Sequence, residues 1–281
     1  MSCHHGSVHL TSTDGVQVAV HDLGGDGPDL VLAHATGFHG RAWVPLASGL
    51  GKRFHCWSFD ARGHGDSTRP RSGDFDWQGF GDDALAVVDG LGLPAPLGFG
   101  HSQGGSALLL AEQARPGTFA ALYLYEPVAW PAPFSMDDHP LVTGALRRRD
   151  HFASVAAAVE RLGSKPPLAD LHPDALRAYV EAGVVPTPDG QVTLKCARED
   201  EAQTYRMGPQ QRSFDHLGEV TCPVTVARGS RSTSLSPELA QRQVATLPSG
   251  RLEVLDGLGH FGPLEDPARV AASIAIALLE A

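Results

Sequence analysis

The chain has 281 residues, 42% of them hydrophobic and 19% charged, with a formal net charge of −10. That composition excludes intrinsic disorder, and the length suits one large α/β domain or a domain carrying an insertion. The acidic balance, with Arg147-Arg148-Arg149 as its basic cluster, argues against a nucleic-acid partner.

No apolar run reaches the ~18 residues of a membrane span, so no membrane association is expected. The nearest, Val270 to Leu279, fits a terminal helix. Met1 to Gly6 carries no signal-peptide core, and Cys3, Cys56, Cys196 and Cys222 show no C-x-x-C spacing. Both features point to a cytoplasmic protein with reduced thiols. Cys3, His4 and His5 read as a loose terminus rather than a metal site.

Residues 7–12 and 16–23 are predicted strands joined at Asp14-Gly15, a hairpin signal. A buried strand, Leu30 to Ala33, runs into His34-Ala35-Thr36-Gly37-Phe38, and a helix follows from about Ala42. The next strand, Phe54 to Asp60, ends in the polar loop Ala61-Arg62-Gly63-His64-Gly65-Asp66-Ser67. Phe80, Ala84, Val87, Val88 and Leu91 recur at helical spacing over 77–91.

The apolar run Ala95 to Phe99 then meets Gly100-His101-Ser102-Gln103-Gly104-Gly105, and a helical run from Ser106 follows. A serine flanked by glycines two residues away, between strand and helix, has the form of a nucleophile elbow. A further strand, Ala120 to Tyr125, ends in Glu126-Pro127. Near-continuous apolar strands alternating with helices describe a parallel sheet covered on both faces.

After Pro127 the rhythm changes to proline clusters and amphipathic helices, with Phe152, Val155, Ala156, Val159 and Leu162 placed on one helical face. Residues 129–212 are therefore read as a helical cap inserted into a core of 1–128 and 213–281. The sheet resumes at Pro223 to Ala227 and Arg251 to Leu255. Ser236-Pro237 opens one helix and Asp266-Pro267 the last.

A serine hydroxyl needs a base, and the base an orienting carboxylate; the developing oxyanion needs two N–H donors. His260, in the loop after the last strand, is the candidate base, while Thr36 and Gln103 can present amides. His34, His64 and His101 read as structural, Asp60, Arg62 and Asp66 as a loop that pins the sheet edge, and His39 as a surface residue.

These motifs, in this order, resemble the α/β-hydrolase superfamily over nearly the whole chain outside the cap. The resemblance implies a mostly parallel eight-stranded sheet with helices on both faces. It further implies Ser102 as nucleophile, His260 as base, and the amides of Thr36 and Gln103 as oxyanion hole. Phe38, Trp130 and Phe261 are expected to contact substrate, and no metal or cofactor is implied.

The chain departs from the family pattern twice. Ala35 stands where a glycine is usual, and the loop Gly229 to Ser236, where the acid usually lies, has no carboxylate. Some relatives, certain haloalkane dehalogenases among them, place the acid after the strand that follows the elbow helix. Glu126 occupies that position, and parallel strands end on one sheet edge, so Glu126 is the expected acid and Asp256 the second candidate. A serine rather than an aspartate at the elbow implies acyl transfer on a small to medium hydrophobic ester or lactone. The alternatives are carbon–carbon hydrolysis of a diketone, with Arg198 or Arg206 holding the dienolate, and non-catalytic ligand binding.

Overall fold

The computed structural model describes residues 8–136 and 139–280. Cys3, His4 and His5 lie outside the described residues. β1 (Val8–Thr11) and β2 (Gln17–Gly24) form an antiparallel hairpin. Its turn uses left-handed backbone at Asp14 (φ 53°) and Gly15 (φ 71°), which explains the Asp-Gly pair.

β3 (Asp29–Ala33), α1 (Val44–Leu50), β4 (His55–Phe59), α2 (Trp77–Gly90), β5 (Leu97–His101), α3 (Gln103–Ala114) and β6 (Leu122–Tyr125) then alternate. The next segment holds α4 (Pro140–Arg147), β7 (His151–Phe152), α5 (Val155–Leu162), α6 (Pro173–Gly183), β8 (Val184–Pro186), β9 (Val192–Leu194) and α7 (Arg198–Met207). The chain returns through β10 (Val224–Gly229), α8 (Pro237–Thr246), β11 (Gly250–Leu255), α9 (Gly262–Glu265) and α10 (Pro267–Leu279).

The eight-stranded sheet runs β1-β2-β4-β3-β5-β6-β10-β11, and every pairing from β4 to β11 is parallel. Alternation along a strand splits its side chains between two cores. Leu30 and Leu32 pack with Trp43, Phe54 and Ile274 on one face; Val31 and Ala33 pack with Phe80, Leu108 and Val226 on the other. The Ser236 hydroxyl accepts from Leu239 N at 3.2 Å, the expected cap of α8, a contact worth about 1 kcal/mol.

The segment between β6 and β10 is not wholly helical. β7, β9 and β8 form a small antiparallel sheet, in which Thr187 to Gly190 is the turn between β8 and β9. Phe152 belongs to β7, and the helix expected to include it begins at Val155, where Ser154 accepts from Ala157 N. Phe152, Val184, Val192 and Leu194 are buried against α5 and α6, which is why such short strands hold.

Candidate active site

β5 delivers Ser102 into a backbone conformation of φ 55° and ψ −117°, which a residue with a side chain holds only under strain. Ser102 N donates to Tyr125 O at 2.9 Å and its carbonyl accepts from Gly105 N at 3.1 Å, so main-chain bonds fix the turn. A Cβ at Gly104 would lie 2.5 Å from the carbonyl oxygens of Ala33 and His34, and one at Gly100 2.6 Å from Gly105 Cα. The two glycines exist because the backbones of β3, β5 and α3 meet here with no room for side chains.

Glu126 follows β6 directly, also in left-handed backbone (φ 49°), and is 2% exposed. His260 Nδ1 donates to its Oε2 at 2.7 Å. Gly229 N donates to Oε1 at 2.9 Å and the Ser232 hydroxyl to Oε2 at 2.6 Å. The loop that lacks a carboxylate therefore supplies two donors to one. Asp256 is exposed and accepts from Ser230 Oγ at 3.0 Å, so Glu126, not Asp256, partners the histidine.

The His260 loop is held on three sides. The Tyr125 hydroxyl donates to Gly259 O at 2.7 Å, His101 Nε2 donates to His260 O at 2.8 Å, and Gly259 N donates to Glu265 Oε2 at 2.9 Å. Burial, then the neighbouring His260 ring, keep His101 well below the usual imidazole range, so it serves as a neutral donor. Burial and the Glu126 charge push the Tyr125 phenol up, so it too stays neutral.

Thr36 lies beyond the end of β3, and α3 begins at Gln103. Neither main-chain N–H donates to another described residue, as befits the first residue of a helix. The Thr36 turn is anchored by His34, whose Nδ1 donates to Ala35 O at 2.8 Å and whose Nε2 accepts from Ala61 N at 2.9 Å. Burial, then the charge of His64, lower the His34 pKa to about 3.

These groups meet at a cavity of 460 Å³ whose walls include Thr36, Ser102, Gln103, Glu126 and His260. Trp130 and Phe261 line it, and so do Trp77, Val128, Phe134, Met136, His139, Tyr205, Thr233 and Ser234. No lysine or arginine is among its described lining residues.

Phe38 does not line the cavity: it is buried against Tyr179 and Phe261, with ring centroids 4.7 and 5.5 Å away. His39 is buried rather than on the surface, its Nε2 donating to Tyr179 O at 2.8 Å. Of the polar loop, Asp60 accepts from Gly40 N and Asp66 N, and Arg62 pairs with buried Asp83 at 2.8 Å. Ser232, Tyr125 and the rim residues Thr233 and Ser234 escape sequence reasoning. Only the serine-rich composition of Gly229 to Ser236 hints at hydroxyl donors there.

Among the described residues no helix is long and apolar enough to cross a membrane. The chain is similar to (E)-2-((N-methylformamido)methylene)succinate hydrolase of Acinetobacter baylyi, with 35% identity over 251 residues, 88% of each chain. It is also similar to 2-(acetamidomethylene)succinate hydrolase of Mesorhizobium japonicum, with 24% identity over 242 residues, 84% of this chain and 83% of that one. The crystal structure of an E-2-(acetamidomethylene)succinate hydrolase superimposes with a TM-score of 0.81, covering 97% of this chain and 99% of the other at 22% identity. A family model described as the alpha/beta hydrolase family matches residues 30–273. Its span takes in the elbow strand, Glu126 and the His260 loop, and the chain belongs to the alpha/beta hydrolase family.

Proposed function

We propose that the protein is a serine hydrolase that cleaves a small to medium, uncharged hydrophobic carboxylic ester or lactone through an acyl-enzyme. One observation carries this reading: a histidine paired with a buried carboxylate and the elbow serine share a largely apolar cavity with two amides that donate to no described residue. In the proposed reaction His260 takes the Ser102 proton as Ser102 attacks the ester carbonyl. Its Nδ1–H stays bonded to Glu126, whose charge stabilises the imidazolium. The Thr36 and Gln103 N–H groups receive the oxyanion, helped by the positive end of α3. His260 then protonates the leaving alcohol, and water, activated by the same imidazole, releases the acid.

The lining favours an uncharged substrate. The named relatives act on succinate derivatives, which carry carboxylates, whereas among the described residues no lysine or arginine lines this cavity to hold one. A diketone dienolate would need a cation too, yet Arg198 is paired with Asp150 at 2.9 Å and neither it nor Arg206 lines the cavity. The test is pre-steady-state hydrolysis of p-nitrophenyl butyrate with fluorophosphonate labelling. A burst of one alcohol per active site and an adduct on Ser102 are expected, with turnover of a carboxylated counterpart of the ester at least 10-fold slower. Absence of both burst and adduct refutes the hydrolase reading and leaves ligand binding in its place.

A further inference from the structure

We propose that Ser232 is a positioning residue that fixes the Glu126 carboxylate for His260. The inference rests on the proposed triad and deepens it. Ser232 Oγ accepts from Ser234 N at 3.1 Å while standing 2.6 Å from Glu126 Oε2. The amide occupies an acceptor position of the hydroxyl, so its single proton goes to the carboxylate. The bond is short and charge-assisted, and Ser232 is buried, so water does not compete for it.

Two features explain why this acid needs such a partner. Glutamate has one more rotatable bond than aspartate, and this one leaves a strand end whose backbone is left-handed. Pins on both oxygens, Gly229 N on Oε1 and Ser232 Oγ on Oε2, select one side-chain conformation. The second feature is charge. Among the described residues, the sole ion-pair partner of Glu126 is His260. The nearby Arg228 instead donates Nε to Leu235 O at 2.9 Å and Nη2 to Ser232 O at 3.0 Å. That arginine shapes the loop and leaves the carboxylate unquenched. Neutral donors stabilise a buried negative charge without cancelling it, so it stays available to the imidazolium. Thr233 and Ser234 of the same loop stand at the cavity wall, so the Ser232 pin is built into a substrate-facing segment.

The test compares wild type, Ser232→Ala and Ser232→Thr with p-nitrophenyl butyrate, alongside the downfield proton NMR signal of the His260–Glu126 hydrogen bond. Loss of one hydrogen bond to a charged group predicts a kcat about 10-fold lower in Ser232→Ala with KM within about twofold of wild type. The downfield signal should shift or be lost to exchange, and Ser232→Thr, which keeps the hydroxyl, should restore both. If Ser232→Ala does not fold, Ser232→Cys supplies a weaker donor of similar size, and kcat and the signal should lie between those of wild type and the fully impaired state. Wild-type kcat and an unmoved signal in the Ala or Cys variant overturn the proposal. So does a threonine variant as impaired as the alanine one. A wild-type enzyme that takes no fluorophosphonate at Ser102 overturns the proposed function itself. A labelled, active wild type with an unaffected Ser232→Ala overturns only the role of Ser232.

Discussion

Replacing Glu126 by glutamine tests the proposed triad at its least familiar member. The carboxylate accepts from three donors: Gly229 N on one oxygen, Ser232 Oγ and His260 Nδ1 on the other. An amide has one acceptor oxygen, so either orientation sets its NH₂ against a donor. If the NH₂ faces His260, Nδ1 must become the acceptor and the proton moves to Nε2, the nitrogen the proposed base needs free. If it faces Gly229, the amide pair is broken in a buried pocket, at about 1–3 kcal/mol. Both cases also remove the charge that stabilises the imidazolium. A carboxylate-to-amide change in a Ser-His-Asp triad lowers kcat about 10⁴-fold, or about 5.4 kcal/mol at 1.36 kcal/mol per decade. The second orientation retains a usable tautomer, so the expected loss here is about 10²–10⁴ in kcat. KM should change by less than about threefold, because Glu126 acts through the histidine. Steady-state hydrolysis of p-nitrophenyl butyrate reads the effect, with circular dichroism as the check on folding. A variant retaining a third of wild-type kcat refutes the assignment of Glu126.

Three other perturbations probe the scaffold. Gly104→Ala puts a Cβ 2.5 Å from two main-chain oxygens that cannot retreat, so urea denaturation should show a loss of about 1–3 kcal/mol together with collapse of activity. Tyr125→Phe removes the bond to Gly259 O and should cost about 1 kcal/mol in the same assay, with kcat down several-fold as the His260 loop loosens. The third is acid. Burial holds His34 near a pKa of about 3 and His64 at about 4, and His101 well below the usual value. The unfolded chain binds protons at these groups from pH 6.5 downward while the folded one does not. Stability is therefore full above pH 6.5 and falls as pH drops toward 4, by up to about 1.4 kcal/mol per unit for each histidine. Urea midpoints at pH 7.5, 6 and 5 should decline in that order; a flat series would show that these rings are not buried neutral.

Much of this was legible in the sequence because the sheet is buried on both faces. Leu30 to Ala33 and Leu122 to Tyr125 read as strands since every position packs, and the glycines around Ser102 mark where backbones touch. Glu126 was singled out by the resemblance to relatives that carry the acid after this strand, and topology supported it. β6 and β10 are parallel with Tyr125 opposite Ala227, so the residue after each strand emerges at one edge. Ser232 was not legible, because its partner lies 106 positions away and no local pattern records which hydroxyl of a serine-rich loop turns inward. His39 and Phe38 were misplaced for a related reason. Both are covered by Tyr179 of α6, a residue of the segment between β6 and β10, and burial by a distant element leaves no periodicity in its target. The strands between β6 and β10 were missed because runs of two or three residues are too short to show alternation.

Glu126 precedes the segment between β6 and β10, whereas the loop after β10 follows it. Thr36, Ser102, Gln103 and Glu126 thus all precede the segment between β6 and β10, and only His260 follows it. The segment between β6 and β10, which supplies Phe134, Met136, His139 and Tyr205 to the cavity wall, can then be exchanged or trimmed in the laboratory without moving Glu126 along the chain. In the loop after β10, Thr233 and Ser234 face the cavity while Ser232 beside them faces Glu126, so one short loop meets the cavity and the carboxylate at once.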